Sequence, residues 1–286
     1  LLNRLTVEEK VSLLVNDARE IPRLNIDKYN HGNEALHGVV RPGEFTVFPQ
    51  AIGLAATWNP NLIFRVSTAI SDEARGRWKE LDYGKKQIAG GSDLLTFWSP
   101  TVNMARDPRW GRTPETYGED PYLTKELGVS FVKALQGNGD TMKAAACAKH
   151  FAVHSGPEAL RHEFDAEASA KDMEETYLPA FEGLVKEAKV EAVMGAYNRT
   201  NGEPCCGSPT LQKKLRGEWK FQGHFVSDCW AIRDFHEHHM VTDTAVESAA
   251  LAINNGCDLN CGNTYLHIMK AYEKGLVTEE TITRAA

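Results

Sequence analysis

The chain lacks any apolar run approaching the ~20 residues that a membrane-spanning helix needs, and no charged stretch followed by an apolar one opens it as a signal peptide would. It also lacks a basic excess: 32 Lys and Arg against 39 Asp and Glu leave a formal charge of −7. No basic cluster or RNA-reading motif offsets that charge, so phosphate backbones are repelled, and neither nucleic acid nor a membrane is expected as a partner. A neutral small substrate fits better. No low-complexity linker and no internal repeat interrupts the sequence. The six cysteines, Cys147, Cys205, Cys206, Cys229, Cys257 and Cys261, lack the spacing of a disulfide framework, and three lie in or beside strand-like runs where buried thiols are common. A zinc or redox pair at Cys257 and Cys261 is weak without a second cluster. His236-Glu237-His238-His239 lacks the i,i+4 pair of a zinc-binding helix, so no metal and no cofactor is expected.

What the chain does have is enough apolar material for one large core. At 286 residues and 42% hydrophobic it can bury roughly three quarters of its unfolded surface, and α/β barrels of this length form one domain. The sequence starts at Leu1 rather than Met, and Thr278-Glu279-Glu280 opens a helix that stops at Ala286 after about two turns. Residues 1–286 are therefore expected to be one domain of something longer. The Asn198-Arg199-Thr200 sequon is informative only in a secreted protein, so the compartment stays open, with the cytoplasm slightly favoured.

Helix and strand signals alternate. Thr6-Val7-Glu8-Glu9 is a capping box, and Asn59-Pro60 an N-cap followed by proline. A further helix is expected over about 124–135, stopping near Gly137. Ser169 should cap one carrying Tyr177, Leu178, Phe181 and Leu184, and Thr242 or Asp243 one carrying Ala249, Ala250 and Ile253. Apolar runs near 94–98, 144–148, 192–197, 224–228 and 251–259 separate these helices, as in a parallel (β/α)8 TIM-type barrel.

Polar residues terminate the apolar runs: Lys149-His150, Tyr197-Asn198 and Asp228. A barrel delivers such strand-end groups to one mouth, which makes Asp228 the candidate nucleophile; its bland alternative is a helix cap or ion-pair partner. Arg106, Arg109 and Arg112 surround Trp110 and are followed by Glu115, Glu119 and Asp120. Arg106 and Arg109 read as members of a structural lattice of arginine and carboxylate, whereas Arg112, at the far end of the loop, suits vicinal sugar hydroxyls.

Five segments in order, Asn33 to Val39, Arg106 to Arg112, Tyr117 to Tyr122, Lys149-His150-Phe151 and Ser227-Asp228-Cys229, resemble the N-terminal barrel of glycoside hydrolase family 3 along essentially the whole chain. The resemblance implies that Asp228 attacks the anomeric carbon to form a covalent glycosyl-enzyme, giving retention. It implies that Lys149, His150 and Arg112 hold hydroxyls of the innermost sugar, that Tyr197 touches the nucleophile, and that Glu34 accepts a hydroxyl on the non-reducing side. Arg161 and His162 are assigned to the pocket rim. Trp230 is either an apolar platform for a sugar face or a core residue.

Glu34 stands where many glucosidases of the family carry Asp, in a form resembling the branch rich in β-xylosidases. Its extra methylene moves the carboxylate toward the place of a hexose C6 group, which favours a pentose by about 1–3 kcal/mol. Asn30-His31-Gly32 departs from the aromatic pair of many xylosidases, which leaves β-xylose and β-glucose both open. The family's glucosaminidase pattern of a His/Asp acid/base dyad is absent after Lys149-His150. No Glu here matches the acid/base, which the resemblance assigns to a C-terminal α/β-sandwich domain or a companion chain. The implied function is a retaining exo-β-glycosidase acting on a small oligosaccharide or β-glycoside. A non-catalytic sugar-binding barrel and a Schiff-base lyase using Lys149 are the alternatives.

Overall fold

Three short parallel strands form the centre of the molecule, whose computed structural model describes residues 1–81 and 94–286. Strand β1 (Cys147–Phe151) pairs with β2 (Ala192–Gly195), and β2 with β3 (His224–Ser227). Single parallel bridges continue the ring on both sides. Thr96 meets Ala145 and Thr101 meets Lys149 on one edge, while Val226 meets Leu259 and Val15 meets Asn260 on the other. The ring shuts through the His31 N–H to Asn16 carbonyl bond and the Trp98 N–H to Asn33 carbonyl bond, each 2.8 Å. This agrees with the expected α/β barrel of TIM type, and among the described residues the bridges and bonds carry the pairing round from one flank of the three strands to the other.

Side-chain alternation splits the core in two. Cys147, Ala192, Met194 and Val226 point inward with Trp98, Leu259 and Cys261, while Ala148, Phe151, Val193 and Phe225 point outward beneath the helices. Outside, the Phe151 ring sits 5.1 Å from Phe181 and 5.9 Å from Trp219. A fully buried phenylalanine of this kind contributes about 1.5–3 kcal/mol.

The helices follow their caps. Helix α1 (Val7–Ser12) carries the expected capping box of Thr6 with Glu9. Helix α2 (Pro60–Glu80) starts at Asn59 and buries Ile63, Val66, Ile70 and Ala74 along one face. Helix α3 (Pro121–Gln136) begins three residues before the expected Thr124, because Asp120 accepts the Leu123 N–H at 2.6 Å and Pro121 fits the first turn. Gly137, at φ 73°, ends it as expected.

Two expectations need correction. Ser169 does cap a helix, but that helix is three residues long (Ala170–Asp172), widens over Met173–Tyr177, and restarts as α4 (Pro179–Lys186). Pro179 has no N–H for the regular ladder, which accounts for the break. Helix α5 (Ala245–Asn254) is capped by Thr244, not Thr242 or Asp243, because the Glu247 N–H reaches the Thr244 hydroxyl while Thr242 is engaged with Ser248. The 251–259 run accordingly divides between the end of α5 and the segment at Leu259. Helix α6 (Glu279–Ala285) starts at Thr278 as expected. Lys10 of α1, itself buried, ties the two ends of the fold by donating to Glu279 at 3.0 Å and Thr283 at 2.9 Å of α6.

Candidate active site

The strands deliver polar groups to one mouth because each ends in an inward position. In β1 the pairing register skips between Lys149 and Phe151, so His150 is an extra residue. Strict alternation would send Lys149 and His150 to opposite faces; the bulge lets both reach the mouth. Asp228 follows β3 directly, and its N–H donates to the Gly195 carbonyl at the end of β2.

Asp228 is 7% exposed, and only one of its carboxylate oxygens is fully bonded. Its Oδ1 accepts the Cys229 N–H at 2.8 Å. Its Oδ2 is buried without a hydrogen-bond partner of ordinary length, 3.5 Å from His150 Nε2 and 3.9 Å from Arg112 Nη1. Burial raises the carboxyl's pKa, and Arg112, Lys149, the Cys229 N–H and the Tyr197 hydroxyl oppose that rise. Burial and then Asp228 push Tyr197 upward in turn, so its hydroxyl stays protonated.

Two ion pairs hold the cations. Arg112 presents Nε and Nη2 to Glu115, each at 2.8 Å, which leaves Nη1 as the branch facing Asp228. Burial opposes the charge on Arg112, but Glu115, Asp228 and Glu34 keep its pKa raised. Lys149 Nζ reaches Glu34 Oε1 at 2.6 Å, and Ser99 donates to Glu34 Oε2 at 3.0 Å. The backbone N–H of Ala35 in turn donates to Ser99. Glu34, Arg112, Lys149, His150 and Tyr197 are thus linked to Asp228 or to one another across nearly the whole sequence.

Arg161 and His162, expected at the rim, both lie beside Tyr197. Arg161 pairs with Glu158 and lies 5.9 Å from the Tyr197 ring, and His162 meets that ring edge-on at 4.6 Å. His162 does have an aspartate, supplied from outside its own segment: Asp234 Oδ2 lies 2.7 Å from Nδ1. Trp230 is 43% exposed, which removes the core alternative. It is held at φ 71°, a region bulky residues seldom adopt, with Arg233 5.3 Å over its ring. The histidine run disperses: His236 bonds Ser248, His238 faces Asp234, and His239 is buried against Phe235.

The sequence reading of the cysteines is corrected here. Cys229 and Cys261 form a disulfide across 32 residues, while Cys257 is a buried free thiol. The bridge between Val226 and Leu259 brings the two loops together, a neighbourhood that linear spacing does not reveal. The arginine loop also differs from a uniform lattice. Arg109 pairs with Asp107, but Arg106 donates to the Tyr177 hydroxyl and the Ser155 carbonyl. Ser99, Asn103, Glu115 in its role of holding Arg112, and Asp234 were missed. A lone Asn in the apolar Val102-Asn103-Met104 run was the available signal, since a buried amide needs partners.

Chemically, the mouth presents a carboxylate with one free oxygen, two anchored cations, a phenol and an imidazole, a set suited to a polyhydroxylated ring with an electrophilic carbon. Residues 9–286 match the model of the glycosyl hydrolase family 3 N terminal domain. The chain is 46% identical to a xylan 1,4-beta-xylosidase of Xylanibacter ruminicola, over 99% of its own length and 34% of that protein's. It superposes on a GH3 exo-beta-xylosidase (XlnD), solved with a xylobiose aziridine activity-based probe, with TM-score 0.89 and 32% identity over 99% of this chain and 38% of that one. A GH3 beta-glucosidase of Bifidobacterium adolescentis gives TM-score 0.80 and 29% identity over 99% and 38%. The chain thus spans about a third of the length of the curated relative, and it belongs to glycosyl hydrolase family 3, matching that family's N-terminal domain.

Proposed function

We propose that the polypeptide to which this domain belongs is a retaining, exo-acting β-glycosidase that releases a terminal β-D-xylose, with Asp228 as nucleophile. The observation that carries this reading is the buried, unpartnered Oδ2 of Asp228 facing Arg112 and His150. That oxygen forms a bond to the anomeric carbon as the glycosidic C–O bond breaks, and the departing oxygen takes a proton from a general acid. Water then attacks the same carbon, gives up a proton to the conjugate base, and frees Asp228. Arg112 and Lys149 favour the ionised carboxylate that starts the cycle. The buried Lys149, held in an ion pair with Glu34, is a charged binding group rather than the free amine a Schiff base requires.

The acid comes from beyond residue 286, in a second domain of α/β-sandwich type. Glu34, Glu115 and Glu158 are each engaged by a cation, and the relatives extend well past the region matched. Xylose is preferred to glucose because Lys149 and Ser99 anchor the long Glu34 side chain on both carboxylate oxygens, and because the relative with 46% identity is a xylosidase. Incubating the full-length polypeptide with an activated 2-fluoro-β-D-xyloside and mapping the labelled peptide tests both points. The label is expected on Asp228 and to be competed by xylose. A label on another carboxylate removes Asp228 from the role, and faster labelling by the corresponding glucoside removes the preference for xylose.

A further inference from the structure

Asn103, which touches neither Asp228 nor the open mouth, is 2% exposed and stands behind His150. Its amide nitrogen donates to two carbonyls, His150 O at 2.8 Å and Ala152 O at 3.0 Å. Both amide hydrogens are thereby used, which fixes the other end of the side chain as oxygen. That Oδ1 accepts the His150 backbone N–H at 2.8 Å and lies 3.1 Å from His150 Nδ1. Since Oδ1 has no hydrogen, Nδ1 is the donor.

We infer that Asn103 is a positioning residue that locks His150 as the Nδ1–H tautomer, so that Nε2 turns a lone pair, not a hydrogen, toward the sugar. A neutral imidazole protonated at Nδ1 is bare at Nε2, and Nε2 is the atom 3.5 Å from Asp228 Oδ2. Two acceptors then face each other 3.5 Å apart at the mouth, and a hydroxyl of a bound sugar satisfies His150 by donating its hydrogen to Nε2. The site selects a group that donates at that position. Burial keeps the ring neutral, and Arg112, His154, Lys149 and Arg161 around it add to that effect. The same arrangement recurs at His154, just past the end of β1. Asn198 spends both amide hydrogens on Val153 O and Arg199 O, and its Oδ1 lies 3.2 Å from His154 Nδ1.

The sugar's presence at His150 rests on the proposed function; the tautomer does not, and it is measured without substrate. In full-length protein labelled with ring-15N histidine, with His150 assigned by its loss in His150→Gln, Nδ1 should give a pyrrole-type shift and Nε2 a pyridine-type shift at neutral pH. A protonated Nε2, or an imidazolium at that pH, overturns the inference even if the enzyme is active. Asn103→Asp keeps an acceptor at Nδ1 but adds a charge, so the 15N titration of His150 should move upward by about one unit or more. The acid limb of kcat/KM should move with it, because a protonated ring no longer accepts. A residue that only packs would lower stability and leave both titrations where they were, and that outcome rejects the role. If Asn103→Asp does not fold, the wild-type 15N spectrum alone decides.

Discussion

Lys149 Nζ lies 2.6 Å from Glu34 Oε1, although 115 residues separate the two in sequence. The ammonium is buried and the carboxylate about one-third exposed, so the pair forms a wall of the mouth and not its floor. A second anchor, Ser99, prevents Glu34 from swinging away. Shortening this side chain therefore changes the shape of the sugar pocket as well as its charge.

Glu34→Asp in the full-length polypeptide should lower the ratio of kcat/KM for aryl β-xyloside over aryl β-glucoside about tenfold, a difference of ~1.4 kcal/mol. The retracted carboxylate leaves room for a hydroxymethyl group and weakens the hold on Lys149. An unchanged ratio would show that Glu34 does not discriminate between the sugars.

Asp228→Asn should reduce turnover by at least ~10³, because the amide forms no glycosyl ester. It should also stabilise the fold at neutral pH. Since burial raises the carboxyl's pKa, the folded protein resists ionising Asp228, and its contribution to stability is present at low pH and lost as pH rises through the folded value. The variant's gain in Tm should accordingly be largest near pH 7 and shrink as pH falls toward the ordinary Asp range. A melting curve at several pH values reads this; a gain that grows on acidification would contradict the burial argument.

Thiol titration of the unreduced, denatured chain should find the four free cysteines Cys147, Cys205, Cys206 and Cys257. Replacing Cys229 and Cys261 together by serine should cost about 2–4 kcal/mol, from the chain entropy released in a loop of this length. A disulfide beside the mouth persists best in an oxidising compartment. Six titratable thiols would remove the bridge.

The 286-residue chain by itself should bind a monosaccharide yet hydrolyse β-glycosides poorly, since general acid help is worth about 10²–10⁴-fold. Natural disaccharides should suffer most and activated aryl glycosides least. Addition of the remaining polypeptide should restore the difference. Full disaccharide turnover by the chain alone would point to Glu158, His162 or Glu163 as the acid.

Helix starts were legible because a cap acts within four residues: Thr6, Asn59 and Thr278 are where side-chain chemistry puts them. The start at Thr244 was misread because Thr242, Asp243 and Thr244 are all competent caps, and what separates them is which groups of the first turns each meets: the Thr242 hydroxyl bonds Ser248, the Asp243 N–H donates to the Glu247 carboxylate, and the Thr244 hydroxyl takes the Glu247 N–H. At the mouth, the motif residues were found through family resemblance, while their supports were not. Glu115 and Asn103 are short-range or mid-range neighbours of Arg112 and His150, but which lone pair or hydrogen they use depends on atoms brought together by the barrel. Asp234 and His162, like Cys229 and Cys261, are partners through adjacent loops, and no local rule specifies adjacency.

The tie from Lys10 to Glu279 also dictates an order of events during synthesis. The two are 269 positions apart in sequence, so the first helix leaves the ribosome long before its counterion exists. Until then the lysine is solvated and α1 has no partner in α6, and a short amphipathic helix of this size is marginal in isolation. Contacts of such high sequence separation form late and slowly, and α1 gains its partner in α6 only after that last helix arrives. Ribosome-bound chains halted before Glu279 should therefore expose the α1 region to protease, whereas chains long enough for α6 to clear the exit tunnel should protect it.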